Sequence, residues 1–430
     1  MSHAPPPLEA TADAVPLPKR HARCELQAGT LAVRWRHEHP DVSDDEPAPP
    51  FGFAERNNPR RAFLFVSTVL GRHVPVAPAR VRAAFTTLAD GIDAELPGPI
   101  LMTGMAETAV GLGAGVHDAY VERTGRDDVL YLSSTRAQLD GTLLATFDET
   151  HSHASAHRLY RPHHTDDARL LDTARSLVMV DDEASSGATF AHLAQALVET
   201  GVDRFTHVHT AVLTDWSGPL QLPAMPSGEQ VTVSRSALLS GRYEWTAAPD
   251  APVRTLPDAD EVRQARVAPL PRDDDARLGR SHRSVRELPA GLLACLQADP
   301  GPILVLGTGE HVWEPFLLAE ALEGRGHEVR FSATTRSPIL PGHAVRRGFA
   351  FGDHEGLGIT NYLYNVAPDD HAHIILCVDT ALDAIDPALI MALGAHVLVG
   401  SRFHPHASLD ASCRAAPTIR AFVADDEPDA

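Results

Sequence analysis

Lysine is almost missing from this chain of 430 residues: among 37 basic residues Lys19 is the single lysine, and the rest are arginine. Lys19 lies in a Pro-rich opening, Ala14-Val15-Pro16-Leu17-Pro18-Lys19. No Walker-type, kinase-strand or Schiff-base lysine is therefore on offer, which excludes most nucleotide-hydrolysing, kinase and pyridoxal-phosphate chemistry. Any phosphate must be held by arginine, backbone N–H groups or a metal. Cysteine is scarce as well. Cys24, Cys295, Cys377 and Cys413 are scattered without a CxxC pair, a pattern of reduced thiols in a cytoplasm. An apolar run of about 18 residues and a basic-then-apolar leader are both lacking, so the expectation is a soluble, cytoplasmic protein with no membrane partner. Positive charge is outweighed: 57 acidic residues give a net charge of −20, which argues against nucleic acid as a bulk partner. A small anionic substrate stays open, since a local site can oppose the global field.

What is present suits a globular protein. The 43% hydrophobic and 22% charged residues are ordinary for a folded protein with a real core, and the length predicts two or three domains. Strand-like apolar runs occur at 24–35, 61–69, 99–102, 129–132, 177–180 and 207–213, with helix-like stretches between them. Phe190, Leu193, Leu197 and Val198, for instance, fall on one helical face. Strands alternating with helices predict an α/β domain with a mostly parallel sheet. A Pro-, Asp- and Arg-rich stretch then interrupts the periodicity. Further runs at 303–306, 329–332, 374–378 and 397–399 predict a second α/β unit. The expected division is a flexible tail at 1–23, a catalytic domain at 24–240, a linker at 241–288 and a second domain at 289–430.

The two units resemble each other. Gly98-Pro99-Ile100-Leu101 recurs as Gly301-Pro302-Ile303-Leu304, each followed by a glycine (Gly104, Gly307) and a glutamate (Glu107, Glu310). A strand ending Ser134-Thr135-Arg136 matches one ending Thr334-Thr335-Arg336, and Val180-Asp181 matches Val378-Asp379. The order and spacing favour an internal duplication.

The stretch richest in chemistry is Leu177-Val178-Met179-Val180-Asp181-Asp182-Glu183-Ala184-Ser185-Ser186-Gly187-Ala188-Thr189. A buried strand delivers two adjacent carboxylates to its carboxyl end, where open α/β sheets bind ligands. A Ser/Gly/Thr loop running straight into a helix turns N–H groups and hydroxyls toward one point, which suits a phosphate. Gly187 lets backbone approach the ligand. Leu101-Met102-Thr103-Gly104-Met105-Ala106-Glu107 forms a second glycine-bearing strand end upstream. Arg136, after the next strand, can hold two anionic oxygens at once. Residues 137–172 read as a loop with five histidines in 14 residues, His151, His153, His157, His163 and His164. A His153/His157 pair at helical spacing would share one helix face. Three uses stay open for the segment: a lid giving acid–base help through Glu149 or His151, a solvated loop, or a transition-metal site.

The 177–189 motif resembles the phosphoribosyl-pyrophosphate (PRPP) motif of type I phosphoribosyltransferases. The resemblance implies that Ser185, Ser186, Gly187, Ala188 and Thr189 grip the 5-phosphate, and that Asp181 and Asp182 address the ribose hydroxyls and, through water, Mg²⁺. It implies that Thr103, Gly104, Met105, Ala106 and Glu107 form the pyrophosphate loop. Ser185 stands where the hypoxanthine–guanine branch has Asp, which weakens a purine-salvage assignment. With Asn58-Pro59-Arg60-Arg61, Gly71-Arg72-His73-Val74-Pro75, the Glu-x-His-Ser-His segment and Thr335-Arg336-Ser337-Pro338, the chain resembles the phosphoribosyltransferase-like proteins of tellurite-resistance and stress gene clusters, whose C-terminal unit is the TRSP domain. That implies an α/β fold of the type I phosphoribosyltransferase kind, PRPP and a base-like acceptor as small-molecule partners, Mg²⁺ as cofactor, and a homodimer. The second copy lacks the paired acids and the Ser/Thr-Gly-x-Thr loop after Asp379, so it reads as a copy that has lost PRPP binding. The expected reaction is transfer of ribose 5-phosphate from PRPP to an unidentified acceptor, or its reverse. The alternatives are a PRPP- or nucleotide-sensing regulator without catalysis and a His-rich metal-binding stress protein.

Overall fold

The computed structural model describes residues 20–38, 49–58, 61–148, 156–226, 228, 230–251, 276–283, 288–354, 358–406 and 420–423. The first unit runs β1 (Arg20–Leu26), β2 (Gly29–His37), β3 (Phe51–Arg56), β4 (Phe63–Ser67), α1 (Pro78–Asp90), β5 (Ile100–Gly104), α2 (Val110–Thr124), β6 (Val129–Tyr131), β7 (Leu143–Asp148), β8 (Ala156–Tyr160), α3 (Thr165–Thr173), β9 (Ser176–Ala184), α4 (Ala188–Glu199), β10 (His207–Asp215) and β11 (Thr232–Ala247). The second runs α5 (Ala290–Ala298), β12 (Ile303–Gly307), α6 (Trp313–Glu323), β13 (Val329–Ala333), β14 (Ile339–Leu340), β15 (Arg347–Phe351), β16 (Asn361–Tyr364), β17 (His373–Val378), α7 (Pro387–Leu393), β18 (His396–Val399), β19 (Arg402–His404) and β20 (Arg420–Val423).

The fold is α/β. In the first sheet, ordered β1-β2-β11-β10-β9-β5-β6, the strands from β11 to β6 are parallel, and β2 and β1 add an antiparallel edge. Strands buried on both faces favour near-continuous apolar runs, and β5 and the first five residues of β9 are buried throughout. The second sheet, β13-β12-β17-β18-β19, is parallel up to the antiparallel β19. One core runs through both units, joining Phe85 of α1 to Trp313 and Phe316 of α6.

The two units repeat each other in backbone detail. Strand order β6-β5-β9-β10 corresponds to β13-β12-β17-β18. Pro99 O accepts from Arg175 N and Ser176 N, as Pro302 O does from Ala372 N and His373 N. Ser134 Oγ accepts from Ala106 N at 2.9 Å, and Thr334 Oγ1 from Gly309 N at 2.9 Å. Leu139 N donates to Tyr160 Oη and Ile339 N to Tyr364 Oη, each at 2.8 Å.

Sequence reading missed three local features. The stretch 24–35 is a hairpin, whose first strand begins at Arg20, inside the expected tail. Within the stretch expected as linker, β11 continues to Ala247, and 276–283 is docked: Arg280 exchanges backbone hydrogen bonds with Tyr131 and is 2% exposed. Residues 137–172 are not a plain loop, because β7 pairs with β8 and α3 follows. Alternate buried residues (Ala145, Phe147; His157, Leu159) lay this hairpin on the core. His157 therefore sits in a strand, and the shared helix face expected for His153 and His157 does not form; His153 itself lies outside the described residues.

Candidate active site

The carboxyl edge of the first sheet collects the polar residues. Asp181 and Asp182 stand at the end of β9, half-buried, with Asp182 N donating to Asp181 Oδ1 at 2.9 Å. Side chains alternate along a strand, so Asp181 and Glu183 share one face and Asp182 takes the other. Glu183 is committed: it pairs with Arg61 at 2.6 Å, and that guanidinium lies 4.6 Å over the Phe63 ring. Burial alone would lower the Arg61 pKa, but Glu183 outweighs it and holds the group above its ordinary value. One acid of the run is thus structural, and Asp181 and Asp182 precede it along the strand.

Beyond the carboxylates, residues 185–187 form the turn into α4. Gly187 is the N-cap in the left-handed region at φ 78°, and no side chain caps the helix. The first-turn N–H groups therefore converge on the loop, apart from a 3.3 Å bond from Ala188 N to Ser186 Oγ. Thr189 lies in the first turn of α4.

The second strand end adjoins the first. Met105 N donates to Val180 O at 3.0 Å, placing residues 103–107 beside Asp181. Behind them, His157 Nδ1 meets Ser134 Oγ at 3.0 Å, and the His157 ring stacks on Phe147 at 4.5 Å. His157 thus supports the 103–107 loop from inside the core, where it is 1% exposed. The Arg136 guanidinium reaches toward Ala106 O at 3.4 Å. Arg158 Nη1 donates to Arg136 O at 3.0 Å, while Arg161 is turned away onto Asp172 at 2.6 Å. Glu149 and His151 lie outside the described residues, between β7 and β8.

The Glu107 side chain does not face this edge. Its carboxylate meets Arg72 and Arg336 N, each at 3.4 Å. Reciprocally, Glu310 accepts from Arg136 N at 2.7 Å and from Thr135 Oγ1. Each unit's loop glutamate thus grips the other unit's Ser/Thr-Thr-Arg corner, as in a self-complementary pair. Arg72 ties both loops together. Its guanidinium donates to Gly309 O and Thr334 O at 2.6 Å and to Glu107 O at 2.8 Å. Burial lowers its pKa, opposed by Glu107, Glu310 and Asp182. Sequence reading gave Arg72 no role; an arginine in a polar loop carries no signal of what it will bridge. The pairing of Glu107 with Glu310 was visible as a repeat, but not as an exchange of contacts.

One further cluster, remote from this edge, resembles a metal centre. Cys295, His373 and His396 offer ligand atoms within 4.8 Å of one another. Its nitrogens, however, are engaged: His373 Nε2 meets Asp299 O, His373 Nδ1 meets His396 Nε2 at 3.2 Å, and His396 Nδ1 accepts from His406 N at 3.0 Å. A metal on His396 Nε2 would need a proton on Nδ1, facing that N–H donor. The arrangement is a hydrogen-bonded chain.

Paired carboxylates, an open helix start and a glycine loop under an arginine thus gather at the carboxyl ends of the parallel strands of an α/β sheet. Residues 51–242 match a family model described as phosphoribosyl transferase, and residues 274–393 match the TRSP domain that lies C-terminal to it. The chain belongs to this two-part phosphoribosyl transferase family. No curated protein matches it. Among solved structures it is similar to an adenine phosphoribosyltransferase from Rhodothermus marinus, at 15% identity over 48% of this chain and 93% of that one. With a TM-score of 0.26, that similarity has no bearing on the site.

Proposed function

We propose that the first unit transfers ribose 5-phosphate from PRPP to a nitrogen of a base-like acceptor, releasing pyrophosphate. The observation that carries the reading is the convergence of Asp181 and Asp182, the Gly187-capped start of α4 and the 103–107 loop on one sheet edge. The N–H groups at 185–189 hold the 5-phosphate at the positive end of α4. The two carboxylates accept hydrogen bonds from the ribose hydroxyls, and the 103–107 backbone with Arg136 receives the diphosphate.

Displacement at C1 passes through an oxocarbenium-like state, as in glycoside cleavage. The chain's task is to fix the sugar, balance charge leaving with the diphosphate and exclude water, since hydrolysis is the competing reaction. Asp181 and Asp182 are hard oxygen donors at the edge, a donor set that fits Mg²⁺ through water. When bound, Mg²⁺ would neutralise charge on the leaving diphosphate. Glu149 and His151 are the proposed acid–base groups.

The test is PRPP-dependent pyrophosphate release by a variant carrying Asp181→Asn and Asp182→Asn, with candidate bases supplied. Release should fall by about a hundredfold or more, while the thermal melt stays near that of the parent. Unchanged release would refute the assignment.

A further inference from the structure

The second unit keeps part of this geometry and replaces the rest. At the carboxyl end of its sheet, Asp379 follows β17 as Asp181 follows Val180 on β9. Its side chain is 24% exposed and pairs with Arg277 at 2.9 Å. Burial would raise its pKa, but Arg277, His311 and His354 prevail and hold it down at about 2, so it is ionised. The glycine loop is retained too. Gly309 N is held by Thr334 Oγ1 as Ala106 N is by Ser134 Oγ, and Arg336 stands in the place of Arg136.

Two buried polar atoms at this edge have no hydrogen-bond partner among the described residues: Thr380 Oγ1 and His354 Nε2. His354 is 7% exposed, and the charged groups it feels are Asp379, Arg336, Asp353 and His311. A buried polar atom left unpaired costs about 1–3 kcal/mol unless a ligand or water meets it.

The phosphate end is where the units part. α4 begins at a glycine that brings no side-chain cap, whereas α7 begins at Asp386, whose carboxylate accepts from Ala388 N at 2.9 Å and from Gly352 N at 3.1 Å. An acid now occupies the helix start where the first unit offers N–H groups, and it repels an anion.

We propose that this edge is a second ligand site, for a ribosyl compound that carries no phosphate at its 5-position. Asp379 accepts from the sugar hydroxyls, Thr380 and His354 supply the remaining polar contacts, and Asp386 turns away a 5-phosphate. The role given to the carboxylate rests on the reading of the first site.

The experiment is calorimetric titration of the full chain carrying Asp181→Asn and Asp182→Asn, so that the first site is silenced. The probes are adenosine and uridine, their 5′-monophosphates and their 2′,3′-dideoxy forms. At least one nucleoside should bind with one equivalent, its monophosphate about tenfold or more weaker, and its dideoxy form with no measurable heat. Adding Asp379→Asn, or separately Thr380→Val, which touches no ion pair, should weaken the nucleoside about tenfold. Asp386→Asn, which keeps the helix cap, should narrow the gap between nucleoside and monophosphate. No nucleoside binding up to about 1 mM, a monophosphate as tight as its nucleoside, or indifference to both Asp379→Asn and Thr380→Val would overturn the proposal. Failure of the parent to turn over PRPP would count against the first site alone, because these titrations do not read turnover.

Discussion

Replacing Arg72 with methionine removes the tie between the two loops while roughly keeping side-chain volume. The guanidinium is 3% exposed and donates to three carbonyls, at 2.6, 2.6 and 2.8 Å, besides its 3.4 Å contact with Glu107. Hydrogen bonds from a charged donor contribute about 1.5–3 kcal/mol each. Removing one partner of a buried charged set costs about 3–5 kcal/mol, because the acceptors stay buried and unpaired. Solvent screening is slight at this depth, so Arg72→Met should lose about 4 kcal/mol of unfolding free energy in urea. Arg72→Lys keeps the charge but cannot span three divergent carbonyls, and should lose about half as much. Two of the lost bonds go to the second unit and one to Glu107 O in the 103–107 loop. KM for PRPP should therefore rise in both variants, more in Arg72→Met. A methionine variant within about 1 kcal/mol of the parent would show that the loops are held some other way.

Other outcomes follow from the same geometry. Gly187→Ala has room for a methyl, its nearest neighbour being Leu220 Cδ1 at 3.4 Å, but must hold φ at 78°; it should cost about 1–2 kcal/mol in urea and raise KM for PRPP, and an unchanged midpoint and KM would contradict the role of the turn. His73 and His117 are driven down to about 3 and His209 to about 4, chiefly by burial. Their folded values lie below the unfolded one near 6.5, so the unfolded chain binds more protons in between. Their contribution is intact above that value and lost as pH falls toward 4, by about 1.4 kcal/mol per pH unit for each histidine. Urea midpoints between pH 7 and 5 check the slope, and His209→Asn should flatten it.

The α/β alternation was legible because buried parallel strands demand unbroken apolar runs, and those at 177–180 and 303–306 have no other use. The Asp181-Asp182 edge and the Gly187 turn were legible because their chemistry is local, carried by consecutive residues. The β7–β8 hairpin was hidden by its histidines: His157 counts as polar in a pattern yet is buried against Phe147 and Ser134. The second unit's hold on the first could not be read at all. Glu310 and Arg136 are far apart in the chain, and their bond exists only once both sheets are placed.

The exchange of Glu107 and Glu310 has a consequence for dilution. Two separate copies meeting through such reciprocal contacts would dissociate as their concentration fell below the dissociation constant. Here both halves belong to one chain, and each meets the other at an effective concentration that dilution does not change. The Thr135–Arg136 corner therefore keeps its Glu310 support in a single molecule, and specific activity should stay constant down to the lowest enzyme concentration an assay can follow.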